Sequence, residues 1–230
     1  MNYFAIFTAL LKDRQAFVGE IHAGTQLKTK ISALLICSFC CFAAYGAIIG
    51  SFHSPLQALS SAIKLPALYL ITLMVCLPAL YIFNAQFGSR KTIAQHLAYI
   101  LSAASVIALL LFAFAPITLF FVITITPATD YSFYLLLNVA IFALTGIFGV
   151  SFLYQAMSPQ TEVNTDSNLR LRATILRFWL CLYGFVGSQL GWTLRPFFGS
   201  PGQFELFRLR EGNFMTGVWN AITNLLLGSG

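Results

Sequence analysis

An all-α fold, a polytopic bundle of about five membrane-spanning helices flanked by amphipathic interfacial helices at both ends, is what this 230-residue sequence predicts. Three observations carry the prediction. Apolar residues make up 58% of the chain and charged residues only 9%, against roughly 25% charged in ordinary soluble domains. The apolar residues fall into blocks long enough to cross a bilayer, which takes roughly 20 residues at 1.5 Å each. None of the seven acidic residues lies inside one of those blocks.

Residues 1–30 come first. Phe4, Phe7, Leu10, Leu11, Phe17, Val18 and Ile21 recur at helical spacing between Lys12, Asp13, Gln15 and Glu20, the pattern of an amphipathic helix. It predicts a helix over residues 2–22 lying in the membrane interface; a helix packed on the ends of the bundle has the same pattern. The charges Lys12, Asp13, Arg14, Glu20, Lys28 and Lys30 interrupt any short apolar core, so the region does not read as a signal peptide. The first span is therefore expected to stay in the mature protein.

The bundle itself covers residues 31–194, with spans at 31–51, 64–84, 97–125, 132–155 and 173–194. Pro66 suits the start of the second span, whereas Pro78 lies inside it and is expected to kink it. The third block has 29 residues with Pro116 towards its far end. One tilted or kinked helix accommodates that length, and so does a helix followed by an interfacial segment.

Orientation follows from the basic residues. Placing the N-terminus in the cytoplasm puts nine Lys and Arg on the inner side (Lys12, Arg14, Lys28, Lys30, Arg90, Lys91, Arg170, Arg172, Arg177) and four outside (Lys64, Arg195, Arg208, Arg210). A bacterial inner membrane with the C-terminus periplasmic is the expected setting. The net charge of +6 is spread over all segments and forms no stripe for nucleic acid, so anionic lipid headgroups are the expected partners.

Residues 195–230 form the outer appendage. Trp192 and Arg195 suit the headgroup level at the end of the fifth span, and Pro196 helps to stop it. Ser200, Pro201 and Gly202 make a turn. Phe197, Phe198, Phe204 and Phe207 are too many large apolar groups for a free loop, so with Trp192, Arg195 and Arg208 they are expected to return to the bundle, contact lipid or meet a partner. Asn213 is placed to cap a short surface helix whose Phe214, Val218, Ile222 and Leu225 share a face.

Few residues suggest chemistry. Proton- and cation-coupled transporters keep carboxylates at membrane depth, and the spans contain none. Cys37, Cys40 and Cys41 lie in continuous apolar helix, as do Cys76 and Cys181, and read as small buried hydrophobes. His22, His53 and His96 are scattered and belong to no catalytic motif. No cofactor or metal set is expected. Asn138, deep in the fourth span, is expected to make an interhelical hydrogen bond, and Arg177 to reach the headgroups from one turn inside. Gly46 and Gly50, with Gly187 and Gly191, are spaced for close helix approach, within the bundle or between copies.

The stretches LPALYIFNAQFGSR, FAPITLFFVIT, LLNVAIFALTGIFGV and GFVGSQLGWTLRPFFGSPGQFELF resemble the blocks of an uncharacterised bacterial multi-pass inner-membrane protein family, and the layout is similar in outline to the Yip1-type family. That resemblance implies a multi-helix membrane protein and transfers no functional residue. The expected role is a non-enzymatic accessory, scaffold or assembly component of a membrane complex, binding a protein partner or a second copy of itself. An oligomeric channel or transporter for a small solute and a lipid-handling enzyme are the alternatives.

Overall fold

A computed structural model describes residues 3–52, 54–86, 91–125, 131–157, 166–194, 197 and 214–227. Among them are eight helices: α1 (Tyr3–Lys12), α2 (Arg14–His22), α3 (Leu27–Ser51), α4 (Pro55–Gln86), α5 (Ile93–Thr124), α6 (Tyr131–Met157), α7 (Asp166–Leu194) and α8 (Phe214–Leu227). Helices α3 to α6 are long and apolar enough to cross a membrane, and α7 is of comparable length at 29 residues. The chain is an all-α, multi-pass membrane bundle.

The amphipathic N-terminal region is two helices rather than one. Asp13 breaks the run and caps the second, its Oδ1 accepting from the Ala16 amide at 3.0 Å. Phe7, Leu10, Phe17 and Ile21 are buried in the core at this end of the bundle, while Tyr3 and Leu11 stay exposed. Polar bonds fix the pair. Gln95 of α5 donates to the Ile21 and His22 carbonyls, and the Arg14 guanidinium lies over the Phe152 ring of α6 and donates to the Phe152 carbonyl. Partial burial there lowers the Arg14 pKa below its ordinary value, though a guanidinium stays protonated.

Lys30 of α3 is buried and meets Glu20 of α2 at 2.5 Å, the carboxylate being 56% exposed. Glu20→Gln is expected to cost about 1 kcal/mol, because Lys30 loses its anionic partner while solvent at Glu20 screens part of the effect. A melt followed by circular dichroism in detergent should show the midpoint falling by about 2–4 °C; an unchanged midpoint would remove this pair from the forces that hold α2 down.

Helix α4 starts nine residues before the apolar block seen in the sequence. Its first turns are inverted relative to a soluble helix. Gln57, Ser60, Ser61 and Lys64 face inward and are buried, whereas Leu56, Leu59 and Ile63 face outward. That arrangement fits a lipid surround, where apolar residues belong outside and polar groups seek partners inside. Lys64 thus lies within the helix, and Pro66 is an interior residue rather than its start. α5 is one continuous helix through Pro116, which decides the reading of the third block. Its start is set by a capping box in which Thr92 and Gln95 bond each other's backbone amides. α7 begins at Asp166, seven residues before the fifth apolar block.

Packing order differs from chain order. α3 lies at the centre, against α4 on one side and α5 on the other; α4 carries α7, and α5 carries α6. Around the bundle the five long helices therefore run α7, α4, α3, α5, α6. The arc does not close, since α6 and α7 are consecutive in sequence yet touch sparsely.

Candidate functional site

Close backbone contact holds α3 and α4 together on the closed side of the arc. A Cβ on Gly46 would lie 2.4 Å from the Ser61 carbonyl oxygen, and one on Gly50 would lie 2.5 Å from that of Gln57. Both glycines are needed for α3 and α4 to approach. At the same level Tyr45 of α3 donates to Asn138 Oδ1 of α6 at 3.0 Å and lies 3.2 Å from Thr118 Oγ1 of α5. The Asn138 amide donates to the Tyr134 carbonyl at 2.9 Å. This buried triad ties three helices together, and its groups satisfy one another instead of lining a path. Ser102, Thr118 and Thr145 likewise bond carbonyls one turn back on their own helices.

On the other side, between α6 and α7, lies a groove of about 1530 Å³. Its floor is Leu65, Leu68, Tyr69 and Thr72 of α4 with Ile107 of α5, and its walls are the facing sides of α6 and α7. It extends along α6 from Ser132 to Gln155, roughly 35 Å at 1.5 Å per residue, which matches a hydrocarbon core of roughly 30 Å. One end is closed by Phe197 and by α8, where Gly217 lets the Trp192 ring come so near that a Cβ would overlap it at 2.1 Å. The other end holds Tyr154, Gln155 and Arg177. Arg177 donates to the Tyr154 hydroxyl at 3.2 Å and its guanidinium carbon lies 5.5 Å from that ring's centre.

Small residues line the groove without being needed for contact inside the bundle. A Cβ on Gly146 or Gly184 would meet nothing within 4 Å. On Gly187 and Gly191 it would reach only the Thr72 and Leu68 side chains at 3.7 and 3.9 Å, ordinary van der Waals distances. The two glycine pairs that look alike in the sequence thus differ in place: Gly46 and Gly50 lie at a helix–helix seam, Gly187 and Gly191 in the groove.

Of the other residues singled out in the sequence, Trp192 lines the α8 end of the groove. Phe197 packs on the core of Tyr45, Leu65 and Leu111, and its carbonyl accepts from the Ser61 hydroxyl at 2.5 Å. Arg195, Phe198, Phe204, Phe207 and Arg208 lie outside the described residues, as does Asn213. Sequence reasoning did not select Gly146, Tyr154 or Gly217. The glycine triplet 184, 187, 191 was visible as spacing, but Tyr154 gave no signal because its relevance depends on α6 and α7 facing each other. Among the described residues no group of three or more His, Cys, Asp or Glu stands together as a metal site.

No protein-family model, curated protein or solved structure matches this chain. The outline likeness to the Yip1-type family accordingly adds nothing to the reading of the groove.

Proposed function

We propose that this chain is a non-enzymatic accessory component of the bacterial inner membrane, a scaffold or assembly factor that works by holding an apolar partner along the α6–α7 groove. The observation that carries the reading is the open arc: a bilayer-length apolar groove in whose facing walls Gly146 and Gly184 have no neighbour within 4 Å of a Cβ. With α7 counted as a fifth crossing, the distribution of basic residues supports a cytoplasmic N-terminus with α1 and α2 and a periplasmic α8. The absence of carboxylates from α3 to α6 argues against coupled transport, and the buried hydroxyls of Tyr45, Ser102, Thr118 and Thr145, bonded within the bundle, argue against a hydrated pore along them.

The test is purification from native membranes at endogenous level into a mild detergent, followed by intact mass measurement under native conditions. A retained occupant in near-stoichiometric amount is expected, whether lipid or foreign polypeptide. A bare chain of 25.4 kDa with no retained species would count against the groove as the working surface.

A further inference from the structure

We propose that the occupant of this groove is an anionic diacyl phospholipid of the leaflet at the α1–α2 end, its phosphate held by Arg177 and Tyr154 and its acyl chains lying along α6 and α7. The inference rests on the groove being the working surface and names what fills it.

The distribution of chemistry in the groove has the form of an amphiphile. Arg177 is the single charged residue among the described residues that line it, and it stands at one end. Tyr154 and Gln155 are beside it; deeper in, the walls are Ile147, Val150, Leu180 and Gly184. Arg177 is exposed and its bond to the neutral Tyr154 hydroxyl leaves its charge uncompensated by any carboxylate in the groove. A guanidinium presents paired donors that match a phosphate, and a phenol adds another. Arg177 stands eleven residues after the start of α7 at Asp166, at the end of the groove, and its long side chain carries the guanidinium towards headgroup level. Charge at this end is reinforced by Arg14, whose guanidinium is fixed against Phe152 of α6.

The groove is bilayer-length, so a lipid of this leaflet fills the half that begins at Arg177 and reaches Gly187, ten residues of α7 or about 15 Å. A second copy of this chain seated by its own α6–α7 face would bring a second Arg177 to the same level and no carboxylate to meet it, because Arg177 is the one charged residue among the described residues that line this face.

The probes are phosphatidylglycerol and phosphatidylcholine with identical chains, each titrated against the delipidated full chain in neutral detergent and read by native mass spectrometry. Phosphatidylglycerol is expected to be retained about tenfold more tightly, the value of one charge-assisted contact. Arg177→Gln is expected to abolish that preference, Arg177→Lys to keep part of it, and Tyr154→Phe to reduce it. Lys12→Gln, which removes a charge at the same end outside the groove, is expected to leave it intact. Melting midpoints of all four variants report folding separately. Equal retention of the two lipids, or an Arg177→Gln variant that still prefers phosphatidylglycerol, would overturn the lipid assignment. A stoichiometric foreign polypeptide in the native preparation would overturn the lipid and leave the groove standing; an empty chain that also takes up neither lipid would remove both.

Discussion

Gly50→Ala is expected to destabilise the protein by about 2 kcal/mol, within the usual range for overpacking a tight contact. The added Cβ would stand 2.5 Å from the Gln57 carbonyl oxygen and 2.7 Å from the Ala58 Cα. Both are backbone atoms and cannot rotate away, so α3 and α4 must move apart. Gly46→Ala meets the Ser61 backbone in the same way. For a chain of this size the melting midpoint should fall by roughly 4–8 °C in each case, and Gly46→Leu combined with Gly50→Leu should prevent accumulation of folded protein. A Gly50→Ala variant that melts with the parent would show that α3 and α4 are not in the contact described.

Gly184→Leu is expected to do the opposite. Nothing lies within 4 Å of its Cβ position, so the midpoint should stay within about 0.5 kcal/mol of the parent, as for a substitution that touches no packed neighbour. The leucine side chain would enter the groove, and retained lipid or partner should drop by more than tenfold, the scale of losing an apolar contact worth about 1.5–3 kcal/mol. Gly146→Leu should act likewise from the opposite wall. Unchanged occupancy with both leucines in place would put the bound species elsewhere on the molecule. Glycine at these four positions thus separates stability from binding: two support the seam, and two leave room in the groove.

Much of the architecture is legible in the sequence because the bilayer imposes it. Apolar blocks of sufficient length mark the long helices, and Asn138 stands out as an amide where few partners exist. Less was legible at element ends. The start of α4 was hidden because Gln57, Ser60, Ser61 and Lys64 look like a polar loop, when in fact they share one helical face turned towards α3 and the tail. Pro66 and Pro116 did not end helices, since a proline in a long membrane helix costs one internal bond that the surrounding structure tolerates. Asp13 looked like one polar residue in an amphipathic run and proved to be a cap. The groove could not be read at all. It arises from which helices pair, α3 with both α4 and α5, and spacing along a single helix is silent about which neighbour it meets. Gly46 and Gly187 have the same local pattern; only the packing order sends one to a seam and the other to an open wall.

The most direct measurement is photolabelling with a phosphatidylglycerol that carries a diazirine midway along one acyl chain, in bilayers containing the intact protein, with the labelled peptides mapped by mass spectrometry. If the groove holds a lipid, label should concentrate on Ile147, Val150, Leu180 and Gly184, and Arg177→Gln should remove it from those positions. The most exposed lipid-facing residues, Met74 and Ile123 at 75% each, supply the comparison: labelling spread in proportion to exposure, with these two marked as heavily as the groove and unaffected by Arg177→Gln, would contradict a bound lipid between α6 and α7.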